Sequence, residues 1–160
     1  GVENIDMSVE VMGYKLGLPI FCSPTALQRL FHHQGERAVA KAAEKFNTLF
    51  GVSSLGTVKL KDIDELIKTP KMFQFYFHKD RGLNDSMISM AQEANFEILT
   101  LTVDTITGGN RERDLRTGFT TPPKLTPKSI LQFGIKPAWA LNYLFREKFE
   151  LSQLSSHVNE

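Results

Sequence analysis

Four short apolar runs, the first three each followed by apolar residues at helical spacing, constrain this chain more than any other feature. The runs are Leu18-Pro19-Ile20-Phe21-Cys22, Thr48-Leu49-Phe50-Gly51-Val52, Met72-Phe73-Gln74-Phe75-Tyr76-Phe77 and Glu97 to Asp104. After the first, Ala38, Val39, Ala42, Ala43 and Phe46 share a helical face; after the second, Leu60, Ile63, Leu66 and Ile67 do. After the third, Leu83, Met87, Met90, Ala91 and Ala94 follow the same spacing. Strand then helix, at intervals of roughly 25 to 30 residues, predicts right-handed parallel βαβ units. Runs this apolar predict strands buried on both faces. Upstream, Ile5, Met7, Val9 and Val11 alternate and turns fall near Gly13 and Gly17, which predicts a short hairpin-like lead-in. No Gly-x-Gly-x-x-Gly follows the first run, which argues against a dinucleotide-binding doubly wound sheet.

After Asp104 the rhythm breaks. Residues 105 to 129, rich in Gly, Pro, Thr and charge, predict one long loop, and a loop of that length in a compact domain is usually functional. Within it, Glu112, Arg113, Asp114 and Arg116 predict a tethering ion-pair network. Ile130-Leu131-Phe133 and the run from Trp139 to Phe145 predict helices, with Trp139, Tyr143 and Phe145 packing on the barrel in preference to the alternative, contact with a membrane; Leu151 to Glu160 is polar with scattered Leu. Four βα units are half of a closed (β/α)8 barrel, which typically takes about 250 residues. Four parallel strands standing alone would leave two unpaired edges. The expectation is an α/β chain forming the N-terminal half of a (β/α)8 TIM barrel: four parallel βα units, a long loop and extra helices. Residues 1–160 would then be a partial barrel domain cut at both ends. An open four-stranded α/β sheet is the alternative.

Nineteen basic side chains stand against eighteen acidic ones, for a net charge of +1. That near-balance gives no global electrostatic reason to expect nucleic acid as a partner. No apolar run approaches the roughly 20 residues of a membrane span, and no signal-peptide pattern opens the chain. The single Cys22 excludes an internal disulfide and fits a reducing compartment. Between Phe21 and Ser23 it predicts a small buried hydrophobe. His32 and His33 are adjacent, so on a helix they could not share a metal, and His78 and His157 lack ligand-spaced partners; no metal site is expected. Met87 and Met90 predict packing of a helix on the sheet.

The chemistry-bearing residues gather where the runs end. The fourth run, Leu99-Thr100-Leu101-Thr102-Val103-Asp104-Thr105, ends in hydroxyls and a carboxylate and is followed by Arg111-Glu112-Arg113-Asp114. The first ends in Ser23, Pro24, Thr25 and Ala26; the second in Ser53 and Ser54; the third carries Gln74 and Tyr76. In a barrel these ends converge on one face. A Gln inside a buried strand demands a partner. Ser53 and Ser54 must face opposite ways, because neighbours along a strand alternate. Amides near Thr25 and Ala26, with the side chains of Ser53, Gln74 and Thr102, suit the edge of a heteroaromatic ring carrying carbonyls and ring nitrogens. Taken singly, Asp104 could cap a loop or pair with Arg111, and Tyr76 could be a core aromatic between Phe75 and Phe77.

Several segments together carry a resemblance. They are Ser23-Pro24-Thr25-Ala26-Leu27-Gln28, Gly35-Glu36, Ser53-Ser54, Phe73-Gln74-Phe75-Tyr76, Lys79-Asp80, Leu101-Thr102-Val103-Asp104-Thr105, Arg111-Glu112-Arg113-Asp114, Gly118-Phe119 and Pro122-Pro123. From about Asp6 to Pro127 the chain resembles the FMN-dependent enzymes that oxidise 2-hydroxy acids, such as glycolate oxidases and cytochrome-linked L-lactate dehydrogenases. The resemblance implies FMN as cofactor. It implies that Pro24, Thr25 and Ala26 line the flavin and that Ser53, Gln74 and Thr102 hydrogen-bond its ring. Tyr76 would touch the substrate, Asp104 would orient a catalytic His and stabilise its cation, and Arg111 would stand at the mouth near substrate. Leu55 matches a position where a large aromatic accompanies the smallest substrate, so Leu implies room for a methyl and hence L-lactate. Ile106 departs from the family's Pro after Asp-Thr, which alters loop stiffness more than chemistry.

The family's catalytic His, its substrate-carboxylate Arg, a Lys near the flavin and most of the phosphate site fall on later strands, and an early active-site Tyr falls before Gly1. The isolated chain is therefore expected to be inactive or nearly so. The implied partners are a small 2-hydroxy acid and an electron acceptor (quinone, cytochrome or oxygen), in a homo-oligomer of tetrameric type. The implied location is cytoplasmic, with peripheral inner-membrane attachment for quinone-linked members. Two other readings stay open: a half-barrel acting only by association, and a different flavin- or phosphate-binding barrel.

Overall fold

The computed structural model of the chain describes residues 3–104, 109–120, 126–148 and 150–158. Five strands and eight helices alternate along them: β1 (Val9–Val11), β2 (Tyr14–Leu16), α1 (Gln28–Phe31), α2 (Glu36–Lys45), β3 (Phe50–Ser53), α3 (Leu60–Leu66), β4 (Lys71–Tyr76), α4 (Arg81–Glu93), β5 (Ile98–Thr102), α5 (Glu112–Thr117), α6 (Pro127–Gly134), α7 (Pro137–Phe145) and α8 (Ser152–Val158). β1 and β2 form the antiparallel lead-in hairpin, turning at Met12 and Gly13, both left-handed. β3, β4 and β5 form a parallel sheet in that order.

The first apolar run departs from expectation. Among the described residues it contributes one parallel bridge, Cys22 to Phe50, rather than a strand over Leu18–Cys22. Prolines explain its shortness: Pro19 and Pro24 lack the N–H a longer ladder needs. Cys22 alone completes the pattern, donating to the Leu49 carbonyl and accepting from the Gly51 amide.

Alternation divides the sheet into two faces. Phe50 and Val52 of β3 and Phe73 and Phe75 of β4 turn toward the helices. There they pack with Ala40 and Ala43 of α2, Leu60 and Ile63 of α3, and Met87 and Ala91 of α4 in one buried core. Met90 packs at its margin. Small Ala residues let α2 approach closely, and Phe73, with no exposure, stands edge-on to Phe96. Burial on both faces does not extend to β5: Leu99 and Leu101, beside Phe73 and Phe75 in register, are about half exposed. No helix among the described residues covers them.

The other face carries the polar residues. At its N-terminal end Leu16 of the hairpin packs on Leu49 and Ile98, with Val9, Tyr14 and Met72 around them. Lys71 fixes the same end of β4. Its buried ammonium lies 3.3 Å from Asp64 and 3.6 Å from Glu97, tying β4 to α3 and to the start of β5. Such a pair specifies register more than it adds stability.

The stretch expected to be one loop, 105 to 129, contains α5 and the start of α6; Thr126 caps α6 reciprocally with Ser129, and Pro127 opens it. The local capping box outweighs the loop-like composition. Of the four charged residues expected to network, Arg116 and Glu112 form an exposed i,i+4 pair at 2.8 Å. Thr105, Ile106, Pro122 and Pro123 lie outside the described residues, as does the side chain of His157.

Candidate functional site

At the C-terminal end of the sheet, hydrogen bonds join side chains of three strands on the face away from the helices. Gln74 lies opposite Ser53 on β3 and Thr100 on β5. Its carbonyl Oε1 accepts from the Ser53 hydroxyl at 3.2 Å, and its Nε2 donates diagonally to Thr102 Oγ1 at 2.6 Å. Gln74 is buried, so the partner its burial demands is supplied on both sides. Ser53 in turn accepts the Leu55 amide at 3.2 Å. Ser54 points the other way, fully buried, while its amide donates to the Gln74 carbonyl. Alternation along β3 thus selects Ser53 for this face. Tyr76, half-buried, stands opposite Thr102 and extends the row toward the strand ends.

The loop after Cys22 lies over the same face. A Cβ on Gly51 would meet Pro24 Cδ at 2.8 Å and Pro24 N at 3.0 Å, so glycine permits that approach. Gly51 is two residues before Ser53, hence on its face. Thr25 accepts from the Gln28 side chain at 2.7 Å, and Leu27, left-handed at φ 61°, donates to the Leu55 carbonyl at 3.1 Å. Ala26 is half-buried between them. Thus Pro24, Ser53, Gln74, Tyr76 and Thr102 share one face, with Thr25, Ala26 and Leu55 at its rim.

Asp104 and Arg111 stand apart from this row. Asp104 is exposed just past β5, and Arg111 is exposed at the start of α5. Both lie beyond the C-terminal end of β5.

A second network, missed by residue-type reasoning, holds the rim in place. The Glu36 carboxylate is fully buried and accepts from the Thr57 amide at 2.8 Å and the Thr57 hydroxyl at 2.7 Å. Thr57 Oγ1 also accepts the Arg29 amide at 3.1 Å. The signal was Gly35 before Glu36: Gly35 has φ 50° and ψ −130°, and a Cβ there would fall 2.4 Å from Arg29 Cγ. Cys22 is half-buried against the core, and burial pushes its thiol above its usual range, which makes it a poor nucleophile. His32 and His33 lie past the end of α1, not on a helix, so their rings approach to 4.4 Å. The helical argument that kept them apart does not apply there.

A family model described as FMN-dependent dehydrogenase matches residues 1–160. Glycolate oxidase of Spinacia oleracea is 38% identical over 129 residues, covering 81% of this chain and 35% of that protein. Glycolate oxidase 3 of Arabidopsis thaliana is 36% identical over the same length. Among solved structures, a monotopic membrane protein, (S)-mandelate dehydrogenase, superposes with a TM-score of 0.86 at 27% identity, over 96% of this chain and 41% of its own. A putative lactate oxidase of Pediococcus acidilactici superposes at 0.72 with 30% identity, over 84% of this chain and 37% of its own. The chain spans about a third of the length of the curated relatives it matches.

Proposed function

The chain belongs to the FMN-dependent dehydrogenase family, whose cofactor is FMN, and from that premise we propose that it forms the N-terminal half of a (β/α)8 barrel in an enzyme that oxidises a small L-2-hydroxy acid. The observation that carries this reading is the Ser53–Gln74–Thr102 row. Ser53 spends its hydrogen on Gln74 and accepts the Leu55 amide. Gln74 Nε2 keeps a second N–H, and Thr102 keeps its hydroxyl hydrogen after accepting from Gln74. Two donors on a flat polar face suit a ring edge made of carbonyl oxygens and ring nitrogens. The residues present therefore fit the cofactor.

FMN, when bound, supplies the acceptor for the two electrons that leave the substrate. The chain's own residues have other tasks. Gln74 and Thr102 orient the ring by hydrogen bonds, with Pro24, Thr25 and Ala26 closing over it. The Tyr76 hydroxyl contacts the substrate's hydroxyl or carboxylate. Asp104 stabilises a protonated base and fixes its tautomer. Arg111 adds positive charge at the mouth, where a carboxylate arrives. The row contains no histidine, so the base comes from elsewhere in the assembly. Leu55 leaves room for a methyl, which favours L-lactate, giving pyruvate; one methylene changes selectivity by about 1–3 kcal/mol. A quinone, a cytochrome or oxygen would take the electrons onward, in a homo-oligomer.

Flavin reduction is the test. Protein purified from its source is expected to carry FMN and to lose its yellow absorbance when L-lactate is added without oxygen. A protein that binds FMN but is reduced by no 2-hydroxy acid overturns the activity and favours another flavin barrel. Reduction by glycolate ten times faster than by L-lactate overturns the Leu55 argument alone.

Peripheral attachment at the cytoplasmic side of a membrane follows from the same reading. Ile130 and Leu131 of α6, Ile135 after it, and Leu141, Leu144 and Phe145 of α7 are all exposed, with Lys136 and Lys148 close in sequence and also exposed. No helix among the described residues is long and apolar enough to cross a membrane. The similarity to a monotopic membrane protein supports a face that dips into one leaflet. Flotation with anionic vesicles, lost in Leu144→Asp/Phe145→Asp, is the expected result; protein left at the bottom of the gradient would mean that another polypeptide surface covers these residues.

A further inference from the structure

Between α1 and α7 lies a cavity of about 220 Å3 that none of the residues above accounts for. Phe31, Trp139 and Tyr143 form its apolar wall, and Arg29, His33 and Arg146 supply polar lining. α7 is amphipathic in an unusual sense. Trp139, Tyr143 and Arg146, at helical spacing, turn to the cavity, while Leu141, Leu144 and Phe145 turn outward. The wall is anchored. The Trp139 ring lies 5.1 Å from that of Tyr143 with 14° between planes, and its N–H donates to the Leu30 carbonyl at 2.7 Å.

Two buried polar atoms on the lining residues have no partner among the described residues: Arg29 Nε and His33 Nδ1. The Arg29 side chain is only 6% exposed. Its terminal nitrogens are used, donating to the Thr57 and Lys148 carbonyls and to that of Glu147, but its Nε–H is not. The local charge is positive. Arg29 and Arg146 line the cavity with one carboxylate, Glu147, which Arg29 holds at 3.5 Å and Arg37 at 3.0 Å. Burial first, then the charges of His32 and Arg146, hold the His33 imidazole below its ordinary range. Positive charge and an aromatic wall occur together.

We propose that this cavity binds a small anionic ligand with a planar apolar body, an aryl carboxylate. Its ring lies against Phe31, Trp139 and Tyr143, and its carboxylate meets the exposed Arg146 guanidinium. The volume lies below the roughly 300 Å3 at which drug-sized sites begin, which selects a ligand about the size of benzoate. The proposal does not depend on the flavin reading, since it uses none of its residues.

Trp139 is the only tryptophan in the chain, so its fluorescence reports on this wall directly. Benzoate is expected to change that fluorescence saturably, and neutral benzamide to bind at least tenfold more weakly. Arg146 is exposed, so Arg146→Gln should fold normally; it is expected to raise the benzoate Kd about tenfold, while Lys45→Gln, which removes the same charge outside the cavity, leaves it unchanged. Arg111→Gln separates this site from the candidate substrate site. Equal affinity for benzoate and benzamide, no effect of Arg146→Gln, or a signal abolished by Arg111→Gln would each overturn the assignment.

Discussion

Replacing Gln74 by Leu removes the centre of the three-strand row while keeping a side chain of similar length at a site that is 6% exposed. Two hydrogen bonds disappear, those to Ser53 and Thr102. At about 1 kcal/mol net each, they set a loss near 2 kcal/mol. Thr102 is half-exposed and recovers a water; the buried Ser53 hydroxyl still accepts the Leu55 amide but loses the Gln74 acceptor for its own hydrogen, which adds to the loss. Leucine returns part of the loss through apolar burial. The net expectation is about 2 kcal/mol of stability, read from a urea unfolding curve. FMN binding should weaken as well, because the ring edge would face methyl groups instead of an N–H. One buried acceptor left unmet costs about 1–3 kcal/mol, which is roughly a tenfold to hundredfold rise in the FMN Kd. Flavin fluorescence titration measures it. A Gln74→Leu protein with native circular dichroism and unchanged FMN affinity would refute the claim that this row faces the ring.

Gly35→Ala should destabilise strongly, by about 2 kcal/mol or more, because left-handed backbone and a 2.4 Å clash with Arg29 Cγ combine; Gly13→Ala, with φ 82° but nothing within 4 Å of its Cβ, should lose only about 1 kcal/mol. Equal shifts in denaturation midpoint for the two would remove the packing part of that argument. Glu44 accepts the Thr69 and Lys68 amides, which hold its carboxyl below the usual carboxylate range. Its contribution is therefore present above the unfolded carboxyl pKa and fades as pH falls through the lower folded value. Glu44→Gln should lower the thermal midpoint at pH 7 and leave a smaller gap to the native sequence at pH 3; a gap that stays constant with pH would refute the assignment.

The sheet was legible where the chain obeys a period. Phe73, Phe75, Val52 and Met87 fall on faces their spacing demands, and β3, β4 and β5 lie within two residues of the predicted runs. The errors sit where a single group overrules the pattern. Two prolines reduce the first run to the Cys22 bridge. Lys71 begins β4 although it is charged, because Asp64 and Glu97 neutralise it from two other elements. That arrangement depends on residues 7 and 26 positions away, and no local window contains it. The capping residues of α6 were visible in Thr126, Pro127 and Ser129, but the high Gly, Pro and Thr content around them argued for loop.

The row at the sheet end was easier to find than the rim around it, and for a physical reason. A buried Gln in an apolar strand has few permitted explanations, so Gln74 points to its partners, and β alternation then separates Ser53 from Ser54. The Glu36–Thr57–Arg29 network spans 28 residues and uses ordinary residue types, so only its folded geometry exposes it. α7 is harder still. A helix reading Pro-Ala-Trp-Ala-Leu-Asn-Tyr-Leu-Phe invites the inference that its apolar residues face inward, and for Trp139 and Tyr143 they do. Phe145 and Leu144 instead face out, beside an interior holding Arg29 and His33. Burial of apolar surface stabilises a helix only where a partner surface exists. An outward apolar stripe on a helix whose other face already holds Trp139 against Phe133 and the Leu30 carbonyl marks a surface with no partner among the described residues, and amino-acid spacing alone has no way to distinguish that case from a helix turned the ordinary way.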